Sequence, residues 1–160
     1  MRLYFFDSST FVKLFVAEPG SDRVHAMVRN AEADEARVRV SVCDLAHPET
    51  ASALRQMLER GVGGHRGISS ATLRQTIAEL TRAVGSGSTF TVVRASDVVL
   101  DAATLAVRHY VRGADSVHVA AAQTMRNRVE RGDEFWFVTS DLRQSEAARQ
   151  EGIAVLDPTA

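Results

Sequence analysis

The order of apolar segments along the chain is the feature that most limits its possible folds. Short runs typical of buried strands occupy residues 3–6, 37–42, 89–93, 135–139 and 153–156. Stretches with helical spacing lie between them, at residues 10–16, 21–30, 69–84, 97–110, 115–128 and 142–150, with another around Ala51, Leu54 and Leu58. Strands that alternate with helices predict an α/β fold, in which helices cover both faces of a parallel sheet.

Length and composition fit one compact domain over residues 1–160. Of the 160 residues, 45% are hydrophobic, which is enough for a core and unlike a disordered chain. The glycines of residues 61–64 predict the clearest loop, and residues 85–88 are expected to end the helix before them. Neither an internal repeat nor a linker divides the sequence.

Charge and cysteine content restrict the setting and the partners. The formal net charge is −1, so a nucleic-acid partner would need a local basic patch. Cys43, the single cysteine, excludes an intrachain disulfide and suits a reducing compartment. Asp7 and Lys13 interrupt the apolar start of the sequence, and no stretch is long enough to span a bilayer. We therefore expect a cytoplasmic protein without a signal peptide or a membrane partner.

Four acidic residues lie where predicted strands give way to helices. Asp7 follows the first strand and Asp141 the fourth. Glu49 lies near the start of the helix after the second strand, and Asp115 opens a later helix. Ligand sites in parallel sheets form at the carboxyl ends of the strands, so all four side chains are expected along that edge. Each acid also has a structural interpretation. Asp7 and Asp141 fit as helix caps, and Asp141 with Gln144 resembles a capping box. Asp115 and Glu49 lie where the helix dipole favours a negative charge.

Carboxylates gathered at one edge predict a site for hard cations. They repel one another unless cations neutralise them. Mg²⁺ and Mn²⁺ prefer carboxylate and water oxygens, and the sequence has no histidine–cysteine set that would favour a softer metal. Such ions lower the pKa of a bound water and orient it toward a phosphodiester. The acids therefore indicate hydrolysis of phosphodiester bonds without a protein nucleophile.

Three blocks of sequence contain Asp7, Asp115 and Asp141 in a characteristic order. The first joins FDSS at residues 6–9 with Val12-Lys13 and with EPGS at 18–21. The second is GADSVHVAAA at residues 113–122. The third joins VTSD at residues 138–141 with Ala147-Ala148, with EGI at 151–153 and with Pro158. Together they cover nearly the whole chain and resemble the PIN-domain ribonucleases, specifically the VapC toxins of bacterial toxin–antitoxin pairs. Glu49 matches that family only as one acid in a helix.

The resemblance implies a three-layer α/β/α sandwich that cleaves RNA with Mg²⁺ or Mn²⁺. It also implies a cognate antitoxin protein and a homodimer. Carried over residue by residue, it makes metal ligands of four acids, some direct and some through water: Asp7, Glu49, Asp115 and Asp141. Ser9 becomes a hydroxyl that orients Asp7, and Thr139 is expected to support a neighbouring acid in the same way.

Pro48 departs from the family pattern, because related chains run a continuous helix at this position. A helix that begins at Asp44 would be strained by Pro48 in its first turn. A helix that begins near His47 would have Pro48 at the favoured first position. The two cases direct Glu49 differently, so its role stays open.

Several other polar residues have two interpretations each. His118 lies one helical turn after Asp115, so it either touches the site or is a packed or surface histidine. Lys13 either contacts phosphate or is a solvated helix residue. Arg108 and Arg112 flank the third acid and are candidates for RNA binding, against a default of surface arginine.

Other activities fit the acids less well. A haloacid-dehalogenase-type phosphatase needs a second aspartate two residues after the first, where this chain has Ser9. A response-regulator receiver has paired acids near the first strand and a late lysine, and this chain has neither. Outside enzymes, the alternative is a catalytically inactive PIN-like module that binds protein or RNA. All four acids are retained, so the nuclease is the favoured hypothesis.

Overall fold

A computed structural model of the chain describes residues 1–60, 69–85 and 89–160, without the side chains of Arg60 and Ser70. In these ranges five strands form one parallel sheet in the order β3-β2-β1-β4-β5. The strands are β1 Arg2–Phe6, β2 Val38–Cys43, β3 Phe90–Val93, β4 Glu134–Val138 and β5 Val155–Leu156. The predicted loop at residues 61–64, and residues 86–88 of the predicted helix end, lie outside the described residues.

The helices of the described residues cover both faces of this sheet. They are α1 Ser8–Phe11, α2 Ser21–Ala33, α3 Ala46–Arg60, α4 Ser70–Ala83, α5 Val99–His109, α6 Gly113–Arg126 and α7 Leu142–Gln150. Leu3 and Phe5 pack with α5, α6 and α7, whereas Tyr4 and Phe6 pack on the other face with α1, α2, α3 and α4. Successive strand residues point to opposite faces, which explains why the apolar run of β1 is continuous. The predicted three-layer α/β/α sandwich is confirmed.

The first helix differs most from its prediction. The spacing predicted residues 10–16, but α1 begins at Ser8 and ends at Phe11, and a 3₁₀ turn continues it over Val12–Leu14. Asp7 accepts a hydrogen bond from the Thr10 backbone N–H and so caps the helix directly at the end of β1. The acid is therefore fixed between a strand and a helix.

The turn before α2 depends on Gly20. Its φ is +88°, and a Cβ added there would lie 2.6 Å from the carbonyl oxygen of Pro158. Only glycine fits both the backbone conformation and the close approach. Two parts of the sequence that the family pattern contains, around Gly20 and Pro158, are thus in direct contact. Among the described residues, no helix combines the length and the apolar character needed to cross a membrane.

Candidate active site

Asp7 is a fully buried carboxylate at the carboxyl end of β1. Its Oδ1 atom accepts the Thr10 N–H at 2.8 Å, and its Oδ2 atom accepts the Thr139 hydroxyl at 2.7 Å. The Ser9 hydroxyl lies 2.9 and 2.8 Å from the two oxygens. Because Thr139 follows β4, Asp7 links the ends of two neighbouring central strands.

The same two hydroxyls connect Asp7 with the next acid. Ser9 Oγ accepts the backbone N–H of Ser140 at 3.1 Å, and Thr139 Oγ1 accepts that of Asp141 at 3.0 Å. The structure thus places both predicted supporting hydroxyls against Asp7, with Thr139 also fixing the backbone of Asp141. Hydroxyls that bond a carboxylate and a neighbouring loop restrict how either can move.

Asp141 is the N-cap of α7, where its Oδ1 atom accepts the backbone N–H groups of Arg143 and Gln144. The predicted capping box is only half present. The buried side chain of Gln144 does not return to the cap, because its Nε2 atom instead donates to Asp115 Oδ1 at 3.3 Å. Gln144 therefore joins the starts of α6 and α7, which is a contact that sequence reasoning missed.

Glu49 lies in the first turn of α3, which begins at Ala46. Pro48 is then the third helical residue, where its missing N–H costs no internal hydrogen bond, so the strained alternative does not arise. Glu49 Oε2 lies 2.7 Å from Nε2 of the fully buried His118. Burial alone would raise the pKa of Glu49, but the hydrogen bond and charge of His118, with a bond from Ser8, hold it below its ordinary value.

Three of the four acids line one cleft at this edge of the sheet. The cleft, of about 230 Å³, has Glu49, Asp115 and Asp141 in its wall, together with Ser8 and Ser9. Burial raises the pKa of Asp115, and the charges of Asp141 and Glu49 raise it further. Like charges thus meet here without full compensation. Asp7 has no exposed surface and is connected to the cleft through Ser9.

The donor set of the cleft suits a hydrated hard cation. In the described ranges, no three acidic, histidine or cysteine side chains are close enough to hold one ion among them. Mg²⁺ is commonly bound through one or two carboxylates while it keeps several waters, so a complete protein cage is not needed. The repulsion at Asp115 and the carboxylate and hydroxyl oxygens in the lining fit such an ion.

The basic candidates divide by position. Arg112 lines an adjoining cleft of about 310 Å³, which shares Asp115 and Asp141 with the first and also contains Arg143. Lys13 is buried and lies 3.2 Å from Glu18 Oε2, so it is not a solvated helix residue, and its side chain is paired within the fold. Arg112 is therefore the predicted RNA contact that the structure brings to the acids.

Arg108, in α5, lies away from the acids. It is near the C-terminal end of α7, whereas Asp141 caps the N-terminal end. Arg108 donates to Glu151 Oε1 at 2.8 Å, and His109 Nε2 lies 2.6 Å from the same oxygen. Gln123 donates to the other oxygen of Glu151 at 3.0 Å. This cluster connects α5 and α6 with the end of α7. In the structure Arg108 therefore forms an ion pair that joins helices, and it does not lie beside the acids of the cleft.

Solved structures with a similar fold match almost the whole chain. A chain of a toxin–antitoxin complex from Klebsiella pneumoniae has a TM-score of 0.57 and 14% identity over 97% of both chains. FitAcB from Neisseria gonorrhoeae gives 0.57 and 15% over 97% of both. VapBC2 from Rickettsia felis, bound to a DNA fragment from its promoter, gives 0.58 and 9% over 97% of this chain and 98% of that one. The chain has the fold of a PIN domain.

Sequence comparison adds nothing to this assignment, because neither a protein-family model nor a curated protein sequence matches the chain. At such low identity, the shared property is the fold of the PIN domain. Within that fold, sequence reasoning did not place Gln144, Ser8 and Arg143 in the clefts, and it left His118 undecided. The spacing of Asp115 and His118 was the one available signal, since both lie on one face of α6.

Proposed function

We propose that this PIN domain is a divalent-metal-dependent endoribonuclease. The observation that carries the proposal is the cleft where Glu49, Asp115 and Asp141 converge at the carboxyl edge of the sheet. Active sites of open parallel sheets form at this edge. The sequence blocks that resemble the VapC ribonucleases contain two of these acids, Asp115 and Asp141, and also Asp7.

The acids have two parts in the proposed reaction. Glu49, Asp115 and Asp141 would hold Mg²⁺ or Mn²⁺, directly or through water. Asp7, predicted as a fourth ligand, is enclosed and outside the cleft wall, so it would instead fix the backbone of Asp141 through Thr139. When bound, the ion supplies an activated water and stabilises the leaving oxygen of the phosphodiester. Ser9 and Thr139 restrain the carboxylates, and Gln144 holds Asp115 in place.

We further propose that the chain acts in the cytoplasm as the toxin of a toxin–antitoxin pair, with a cognate antitoxin and as a homodimer. The Klebsiella pneumoniae neighbour is a toxin–antitoxin complex, which supports an antitoxin partner. The sequence resemblance to VapC toxins supports the same assignment. The direct test of that partner is to express this chain together with the protein encoded next to it and to ask whether the two co-purify.

The activity is tested with purified protein, freed of any antitoxin, on labelled RNA. We expect cleavage with Mg²⁺ or Mn²⁺, its loss on chelation with EDTA, and its return when either metal is added back. Ca²⁺ serves as a comparison, because it binds oxygen ligands with a looser geometry. Protein that neither cleaves RNA nor binds Mn²⁺ would contradict the enzyme and favour the inactive PIN-like module.

Arg112→Ala is expected to weaken RNA binding without removing the metal site. Arg112 lies beside Asp115 and Asp141, where a phosphate near a bound ion would be within its reach. Loss of one phosphate contact should reduce the slope of log affinity against log salt by about 0.7 for single-stranded RNA. The measurement is fluorescence anisotropy with labelled RNA in Ca²⁺ at several salt concentrations. Arg108→Ala is the comparison, and an equal change in both variants would refute a special role for Arg112.

A further inference from the structure

The least explained side chain near the cleft is His118. It is fully buried in the middle of α6, where the adjacent residues Val119, Ala120 and Ala121 are buried and apolar. Its Nδ1 atom has no hydrogen-bond partner among the described residues. A buried nitrogen without a partner costs stability, so packing alone would favour an apolar side chain here.

The other ring nitrogen gives His118 a specific contact. Nε2 lies 2.7 Å from Glu49 Oε2, and an ionised carboxylate can only accept, so Nε2 carries the proton of this bond. Glu49 belongs to a different helix, 69 residues away in sequence, and its side chain is 29% exposed. We propose that His118 is a positioning residue that holds the carboxylate of Glu49 toward the metal-binding cleft. The proposal rests on the proposed function.

The physical reason is the freedom of a glutamate side chain. It has three rotatable bonds, and fixing such a side chain costs conformational entropy. Glu49 projects from the first turn of α3 into a cleft that it shares with two other carboxylates, which repel it. A rigid imidazole anchored in the core opposes that repulsion through one short bond. Partners of this kind, bonded to a metal-binding carboxylate, are typically worth about 10- to 100-fold in metal affinity or activity.

The chain offers a matched control in a second histidine–glutamate pair. His109 Nε2 lies 2.6 Å from Glu151 Oε1, and the two side chains are only 6% and 12% exposed. Arg108 and Gln123 also bond Glu151, at the end of α7 away from the cleft. Substitutions at His109 therefore report the cost of breaking a buried histidine–glutamate bond without disturbing the acids.

The experiment compares His118→Gln with His118→Met in the full-length protein. The two side chains have similar length, but only glutamine carries a donor that can reach Glu49. We expect His118→Met to lower Mn²⁺ affinity, or kcat for RNA cleavage with little change in KM, by about 10- to 100-fold. His118→Gln should retain most of both. His109→Met should lower Tm while leaving Mn²⁺ affinity and cleavage unchanged.

Two further measurements separate this inference from the proposed function. In a Glu49→Gln background, His118→Met should cause little further loss of Mn²⁺ affinity, because the partner is already altered. The ¹³Cδ resonance of Glu49 should shift in His118→Met and much less in His118→Gln. Wild-type protein without Mn²⁺ binding or cleavage would refute the proposed function, and an unchanged ¹³Cδ resonance would separately overturn the role of His118.

Full Mn²⁺ affinity and full kcat in a folded His118→Met variant would also overturn the inference. If that variant does not fold, His118→Asn replaces it, because its shorter amide does not reach Glu49 from the same backbone. Equal losses in His118→Gln and His118→Met would assign His118 to packing, not to positioning.

Discussion

Asp115→Asn is expected to lower the rate of RNA cleavage by about 100- to 1000-fold, because a bound metal ion is worth several kcal/mol of transition-state stabilisation. Asp115 lies in the wall of both adjoining clefts and faces the charges of Asp141 and Glu49. Asparagine keeps an oxygen for Gln144 but removes the negative charge that an ion requires. The measurement is single-turnover cleavage of labelled RNA with Mg²⁺ and with Mn²⁺.

The same substitution should raise the Tm of the metal-free protein at neutral pH. Burial and the neighbouring acids raise the pKa of Asp115, so its ionised form destabilises the folded state. This penalty is complete above the raised folded pKa and disappears as the pH falls below the ordinary value of 3.8. The gain in Tm should therefore be present at neutral pH and vanish in acid. A lower Tm at neutral pH would contradict the uncompensated repulsion described for the cleft.

Asp101→Asn is the matched control for Asp115→Asn. Asp101 is an exposed acid in the first turn of α5, so it has the same place relative to a helix but does not line either cleft. Its substitution should leave cleavage unchanged and lower stability slightly, because it removes a favourable charge at a helix N-terminus. Comparable losses of cleavage in both variants would show that the acids of the cleft have no special role.

Asp7→Asn is expected to abolish most cleavage and also to cost about 1–3 kcal/mol of the free energy of unfolding. Both oxygens of Asp7 accept hydrogen bonds in a fully buried setting, from the Thr10 N–H and from the hydroxyls of Ser9 and Thr139. An amide places a donor against one of these groups. Because Thr139 also fixes the Asp141 backbone, the disturbance should reach the cleft while the overall fold is retained.

A second strand-end aspartate, the exposed Asp44, serves as the comparison for Asp7→Asn. Asp44 follows β2, and its Oδ1 atom accepts the Ala95 backbone N–H at 2.8 Å, but Asp44 is not part of the cleft wall. Asp44→Asn should therefore leave cleavage unchanged and lower stability less than Asp7→Asn, because Asp44 is exposed and asparagine keeps an acceptor for the Ala95 N–H. Stability is measured by urea denaturation and cleavage at a temperature where all variants are folded. Undiminished cleavage by Asp7→Asn would refute the role assigned to Asp7.

The fold was accessible from the sequence because it depends on local patterns. The β1 segment reads as a continuous apolar run since Leu3 and Phe5 face one helix layer while Tyr4 and Phe6 face the other. The first helix was predicted to begin two residues too late. Its start is fixed by a hydrogen bond from the Thr10 N–H to Asp7, and the spacing of apolar residues does not reveal such a bond. Similarly, Gln144 fits a capping-box pattern, but its amide forms a bond to another helix.

The sequence by itself determined the alternation of strands and helices, and therefore the edge of the sheet at which Asp7, Asp115 and Asp141 lie. Strand ends and helix starts are local features, and parallel strands bring such ends together. Only the tertiary structure decided which acids share a cleft, that Asp7 is enclosed, and that His118 contacts Glu49. That contact joins α3 to α6 across 69 residues, and its distance depends on how two helices pack on a sheet, which no local pattern specifies.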